Sequence, residues 1–421
     1  MRILLITGYF PPERAAGPNL NYELARELLR LGHRVTVATG FPRYNLKEVP
    51  AEYRKKLYMR ECMDGIDVIR VWYPAMPRNI RVARGADMLL MAAALVFSAI
   101  RAGRQDVATV FSPPITAGLA GILASWLFGY RFVYNAHDLF PQNAVDLGML
   151  RNRALIRALS ATARVVYQRA AFVTVISASN KQKFVAAGAP SDRTIVIPDW
   201  VDTELVVPVD RRNPFSRENG LDDKFVVSFS GVMGYSQDLD TVLAAAHLLA
   251  EQPAIHFLLA GDGVERPRLE AEVARRRLTN VTFLGMIPQH EVAAVFHSSD
   301  ACLATLHASV KSSPVPSKIV WAMAAARPVI TCLDLEGDAA RLVREADCGI
   351  ALPPNDPQVL AETILRLWAQ PAQCKRMGEN GRAFALTYLS VEAAAATLCG
   401  LFDQVRVDRL GQNTVRDGAV R

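Results

Sequence analysis

Thirteen short apolar runs, separated by segments of helical periodicity, limit what this chain can fold into more than any other feature. Seven lie in the first half, at residues 3–7, 34–39, 67–72, 107–111, 132–135, 173–176 and 195–197. Between them lie amphipathic stretches such as NLNYELARELLRL, residues 19–31, whose apolar side chains recur on one helix face. Short strands alternating with helices read as parallel βαβ units, because a parallel strand is reached only by a crossover. The pattern stops at a polar, proline-containing stretch, residues 203–223, and then restarts. Six further runs follow, at 225–230, 256–260, 281–284, 301–305, 328–333 and 349–352. The expectation is an α/β protein of two doubly wound, Rossmann-like domains, residues 1–203 and 224–389, joined by a linker at 204–223. A helix at about 390–411 is expected to pack back on the first domain, and the polar tail 412–421 to fray.

Composition agrees. A chain of 421 residues is too long for one typical domain. Its apolar share of 51% and charged share of 21% are ordinary for a soluble globular protein. The six cysteines form no C-x-x-C pair, so neither a zinc site nor a redox pair is indicated, and reduced thiols in the cytoplasm are expected. The opening MRILLITGYFPP is too short in its apolar run for a leader and reads as a first strand.

Charge is uneven. Residues 1–200 hold 26 Lys and Arg against 14 Asp and Glu, a net of +12, so the whole-chain net of +7 leaves −5 for the rest. A basic half suits an anionic partner: phosphate, nucleic acid or a membrane surface. Two apolar stretches lie in that half, at residues 88–100 and 115–130. Both fall short of the roughly 20 residues that span a bilayer. A buried core helix is one reading. A helix dipping into one leaflet, flanked by Arg81, Arg84, Arg101 and Arg104, is the other.

Open α/β sheets bind ligands beyond the carboxyl ends of their strands. Three places qualify. The loop after the first strand carries Gly8, Arg14 and Gly17 ahead of a helix, an arrangement suited to an anion but without the G-x-G-x-x-G of nicotinamide binding. The strand RFVYNAHD delivers His137 and Asp138 together, candidates for proton handling or hydroxyl orientation. The third is in the second half, where Gly231 and Gly234 follow one strand and Gly261, Asp262 and Gly263 another, with Ser317 and Lys318 at a helix start. Backbone N–H groups, a helix dipole and one ammonium make an edge that suits a diphosphate.

These residues resemble the retaining glycosyltransferases of the GT-B fold, the family 4-like group that includes bacterial lipopolysaccharide and capsule transferases. The resemblance runs over nearly the whole chain. ILLITGYFPPERAAGP resembles the opening strand and glycine loop, and IVIPDWVDTELV the segment often written I-P-N-G-V-D. FSGVMGYSQDLDTVLAAA is similar to the donor loop of the WbuB-like branch, which handles aminosugars. NVTFLGMIPQHEVAAVFHSSDACLATL resembles the segment beside the donor base, VPSKIVWAMAAARPVI resembles P-S-K-x-x-E-Y-M-A-A-G-K-P-V-I, and GENGRAFALTYLS the C-terminal helices.

The resemblance implies two domains facing each other across a cleft, with the nucleotide sugar held mainly by the second and the acceptor by the first. It implies no metal, since cations and helix N-termini neutralise the diphosphate. Gly234 and Lys318 would contact that diphosphate; Gly231 and Ser317 belong to the same rim. The Gly261–Gly263 loop with Met286 and Ile287 would line the nucleoside pocket. Gly17, helped by Arg14, would let the first-half loop approach the phosphates. His137 or Asp138 would sit near the transferred sugar. The donor would be UDP-linked, with a sugar of the N-acetylated hexosamine type. The basic, apolar first half motivates a second expectation, that the acceptor is a lipid-linked sugar or other glycan at the inner face of the plasma membrane, with peripheral contact to anionic lipid and no role for nucleic acid.

Two departures stand out. Many members carry two glutamates eight positions apart; Ser313 and Trp321 occupy those positions here, and neither can serve as a carboxylate. Some carry Arg and Lys after the donor-loop glycines, where GYSQD has neither. A non-catalytic sugar-nucleotide-binding partner and a nicotinamide-dependent oxidoreductase therefore stand as alternatives, the latter disfavoured by the missing fingerprint.

Overall fold

A computed structural model describes residues 1–13, 16–43, 49–74, 81–146, 150–288, 291–310 and 315–418, apart from the side chains of 16, 81–84, 146 and 408–418. The chain divides into two compact units, Met1–Asp199 with Val391–Arg421, and Trp200–Ser390.

The first unit is built on eight strands: β1 (Arg2–Ile6), β2 (Arg34–Gly40), β3 (Tyr58–Met63), β4 (Ile66–Val71), β5 (Val107–Ser112), β6 (Phe132–Ala136), β7 (Phe172–Val175) and β8 (Thr194–Val196). Their order is β3-β4-β2-β1-β5-β6-β7-β8, parallel throughout except for β3 against β4. β5 is buried at every position, as expected of a parallel strand covered on both faces. Seven of these strands stand where the apolar runs place them. β3 is the addition: an edge strand with only partly buried residues, so no apolar run marks it. It returns through Asp64 (φ 49°) and Gly65 (φ 85°), a two-residue hairpin turn whose D-G pair was its legible sign.

Helices cover the sheet. Met91, Leu95 and Ala99 of the helix Arg81–Ala102 pack with Ala117 and Ala120 of the helix Ala117–Phe128 over Leu4, Val110 and Phe132. A Cβ at Gly118 would lie 2.4 Å from Val166 Cγ1, so glycine sets how closely the helix Arg153–Arg169 approaches. The thirteen-residue apolar run understates the helix Arg81–Ala102, which has 22 residues. Its segment Gly85–Ala102 is long and apolar enough, by length and composition, to cross a membrane. Neither sequence reading holds unmodified: one face is core, while Leu89, Phe97 and Ile100 are exposed.

The second unit carries six parallel strands: β9 (Phe225–Ser230), β10 (Ile255–Ala260), β11 (Val281–Leu284), β12 (Ala301–Thr305), β13 (Val329–Cys332) and β14 (Gly349–Leu352), in the order β11-β10-β9-β12-β13-β14. Both sheets reverse direction of growth at a central pair, β1 beside β5 and β9 beside β12. Such reversals open a crevice at the carboxyl ends of the strands, where ligands bind.

The division falls at Asp199–Trp200, four residues ahead of the position that composition indicated, and residues 204–223 lie inside the second unit. The reason is anchoring that polarity conceals. Arg211 donates to the carbonyls of Leu221 and Asp222 and pairs with Asp300 at 3.3 Å. Arg382 donates to Val206 O at 2.6 Å and Thr203 O at 3.0 Å. The helix Val391–Gly418 returns to the first unit, where Cys399 Sγ lies 3.4 Å from His33 Nε2. It extends past Gln412, where the sequence suggested fraying.

Candidate functional site

In the second unit, the loops after β9 and β10 interlock. Gly231 N–H donates to Ala260 O at 2.9 Å, Met233 N–H to Asp262 O at 2.8 Å, and Glu265 N–H to Met233 O at 3.0 Å. Gly261 sits at φ 139°, and a Cβ there would lie 1.9 Å from Gly231 O, so glycine is required twice over. A Cβ at Gly263 would lie 2.3 Å from Met233 O. These are close approaches of backbone to backbone, and they bind the two loops to each other at the strand mouths.

Lys318 reaches this rim from the first turn of the helix Ser317–Ala324. Its Nζ donates to Gln237 Oε1 at 2.8 Å and lies 3.6 Å from the Phe229 ring centroid. Lys318 Nζ lies 3.4 Å from the Cβ position of Gly231, an ordinary van der Waals contact, so it is the φ of 144° that favours glycine there. Among the described residues no carboxylate pairs with this ammonium. Burial therefore lowers the Lys318 pKa to about 7. A neutral amide and a π face solvate the charge without neutralising it. Ser317 is exposed beside it, at a helix end whose first N–H groups have no helical acceptor.

The Gln237 loop is itself fixed. Thr305 Oγ1 donates to Gln237 O, and His307 N–H donates to Ser236 O at 2.9 Å. Gly234 has extended backbone and open space around it. The Asp262 carboxylate accepts Gly263 N–H at 2.7 Å. Beyond β11, Met286 is 70% exposed while Ile287 packs toward Leu221 and Val226, so only Met286 faces fully outward. Trp321, in the place of an expected glutamate, is partly buried, its ring centroid 5.9 Å from that of Phe296. That face of the helix is packing surface here. Ser313 and Arg14 lie outside the described residues.

In the first unit, β6 is followed directly by His137 and Asp138. His137 Nδ1 lies 3.0 Å from Asp199 Oδ1, and its ring stands 6.5 Å from that of Phe111. Burial works against a charged imidazole, but the Asp199 carboxylate, with a smaller contribution from Asp138, raises the His137 pKa above its ordinary value. Asp138 Oδ1 accepts from Asn143 Nδ2 at 3.2 Å. The loop after β1 is shaped by Glu13, whose buried carboxylate accepts Phe10 N–H at 3.1 Å and Arg43 N–H at 2.9 Å. Gly17 is exposed, and among the described residues nothing lies within 4 Å of a Cβ there, so none of them demands glycine.

The structure thus groups Gly231, Gly261, Gly263 and Lys318 in the second unit, and His137 with Asp138 in the first. Sequence reading missed Gln237, Phe229 and Asp199. The first two carry no charge to attract notice; Asp199 was visible as the departure of P-D-W from P-N-G.

Residues 20–200 match the model of the Glycosyl transferase 4-like domain, and residues 211–384 that of Glycosyl transferases group 1. The probable glycosyltransferase WbjE of Pseudomonas aeruginosa is 28% identical over 303 residues, 69% of this chain and 74% of that one. An O-antigen chain mannosyltransferase C of Escherichia coli is 27% identical over 191 residues, 45% of this chain and 49% of its own length. Among solved structures, HepE of Anabaena in complex with UDP has the same fold, with a TM-score of 0.69 at 19% identity, covering 96% of this chain and all of that one.

Proposed function

The chain belongs to the glycosyltransferases of the GT-B fold, and from that premise we propose that it moves a sugar from a nucleoside diphosphate to a hydroxyl of a lipid-linked or glycan acceptor, retaining anomeric configuration. The observation that carries this reading is the Lys318 ammonium, held at the mouth of two glycine loops with a neutral partner. As the bond from C1 to the diphosphate breaks and the acceptor oxygen bonds to C1, negative charge grows on the leaving phosphate. Protonated Lys318 and the positive end of the helix Ser317–Ala324 stabilise that charge, and no metal is called upon. The acceptor proton passes to an oxygen of the departing diphosphate, so no strong protein base is needed. UDP is the proposed nucleotide, in line with HepE, and surface polysaccharide the proposed product, in line with the O-antigen relative. The sugar is proposed to be an N-acetylated hexosamine.

Lys318→Ala tests the reading. Turnover should fall roughly a hundredfold to a thousandfold, the cost of removing one preorganised oxyanion partner. Unchanged turnover in that variant would remove Lys318 from the mechanism. Trp321 favours one other reading, a sugar-nucleotide-binding partner without activity. Donor binding with no transfer across an acceptor panel would select it.

A membrane contact is part of the proposal. The helix Ala117–Phe128 contains no charged residue and exposes Leu119, Leu123, Trp126 and Leu127, with Trp126 78% exposed. It packs on Arg81–Ala102, which exposes Leu89, Phe97 and Ile100, and on Arg153–Arg169, whose Arg157 and Arg164 are exposed. Apolar stripes bordered by arginines suit an anionic bilayer surface.

A further inference from the structure

Asp199 occupies the place of asparagine in the I-P-N-G-V-D pattern, and the structure gives that change a consequence. We propose that Asp199 is a positioning residue that keeps His137 an imidazolium, presenting Nε2–H as a donor to an oxygen of the substrate that meets the carboxyl end of β6 rather than as a proton acceptor. The proposal rests on the reading above that the carboxyl end of β6 meets the substrate.

Geometry carries it. With Nδ1 placed 3.0 Å from Asp199 Oδ1, Nε2 is the ring's remaining nitrogen. Asp199 Oδ1 is buried with no hydrogen-bond partner among the described residues, so its charge is offset by the imidazole ring nitrogen 3.0 Å away. Among the described residues, the charged groups acting on the ring are Asp199, from the segment after β8, and Asp138, from its own loop; both are acidic. His137 N–H is itself directed to Ser112 O at the end of β5, 3.4 Å away, so the ring is anchored at both its backbone and Nδ1. A carboxylate at Nδ1 stabilises the doubly protonated ring, whereas an asparagine there leaves it free to be neutral. The side chain is 21% exposed, enough for a ligand to reach.

Asp199→Asn tests this, since it keeps the shape and removes the charge. The His137 ring signals, assigned by their loss in His137→Gln, are titrated by NMR in the wild type and in Asp199→Asn. The titration should move to lower pH in Asp199→Asn. Wild-type kcat should fall as pH rises through the raised His137 pKa. That limb should shift with the NMR titration in Asp199→Asn, lowering kcat about tenfold for each pH unit moved, and vanish in His137→Gln. A His137 titration that does not move in Asp199→Asn overturns the pairing. A titration that moves while the rate profile stays fixed overturns the donor role. Full activity in His137→Ala instead defeats the reading that β6 meets substrate, independently of the titration.

Discussion

Lys318 shows how one residue can link donor binding to pH. Its ammonium has left water for a neutral amide and an aromatic face, and its pKa falls from 10.5 to about 7. A bound diphosphate would supply the missing counter-charge and raise that pKa again, so binding takes up a proton wherever the free site is neutral. UDP affinity should therefore be flat below pH 7 and weaken above it, by at most about tenfold per pH unit for one linked proton. Calorimetry in two buffers of different ionisation heat should show proton uptake at pH 8, an uptake that Lys318→Ala abolishes. A pH-independent affinity in the wild type would contradict the assignment. At this scale much was legible: the lysine, the glycines and the His-Asp pair all stand out in the sequence. Gln237 and Phe229 did not, because what matters in them is only their position beneath an ammonium.

At the scale of elements, the loops after β9 and β10 behave as one piece. Their mutual hydrogen bonds, Gly231 to Ala260 and Met233 to Asp262, mean that neither loop can shift alone. Gly261→Ala would drive a Cβ to 1.9 Å from Gly231 O, and the loops must part to admit it. The expected cost is about 1–3 kcal/mol of stability, as for other overpacked sites, together with weaker UDP binding. Thermal unfolding followed by circular dichroism checks the first, and an unshifted midpoint would refute it. Strands were legible as elements because parallel strands buried on both faces are continuous apolar runs. β3 was not, because a half-covered edge strand has no such run, and only its D-G turn announced it. Residues 204–223 misled for the opposite reason. Arginines that look like solvated linker charges spend their donors on backbone carbonyls.

For the molecule as a whole, the uneven charge finds a physical place in the first unit. Exposed Leu123, Trp126 and Leu127 lie on a helix that packs on the arginine-bearing helix Arg153–Arg169. The protein should co-sediment with phosphatidylglycerol-containing vesicles at low salt, less at high salt, and little with phosphatidylcholine alone. Leu123→Glu with Trp126→Glu should weaken that binding while sparing the folded state, since both side chains already contact water. Failure of the wild type to bind anionic vesicles at low salt would dispose of the membrane contact. Two doubly wound sheets, their strand positions and the glycine loops were decided by local pattern: apolar runs of strand length, helical spacing and turn residues act over a few neighbours and can be read in order. The capture of 200–223 by the second unit, the neutral cradle of Lys318 and the Asp199–His137 pair were decided by tertiary structure alone. Each depends on a partner tens of residues away, and the energy of a buried charge is set by what surrounds it in space, which no local pattern encodes.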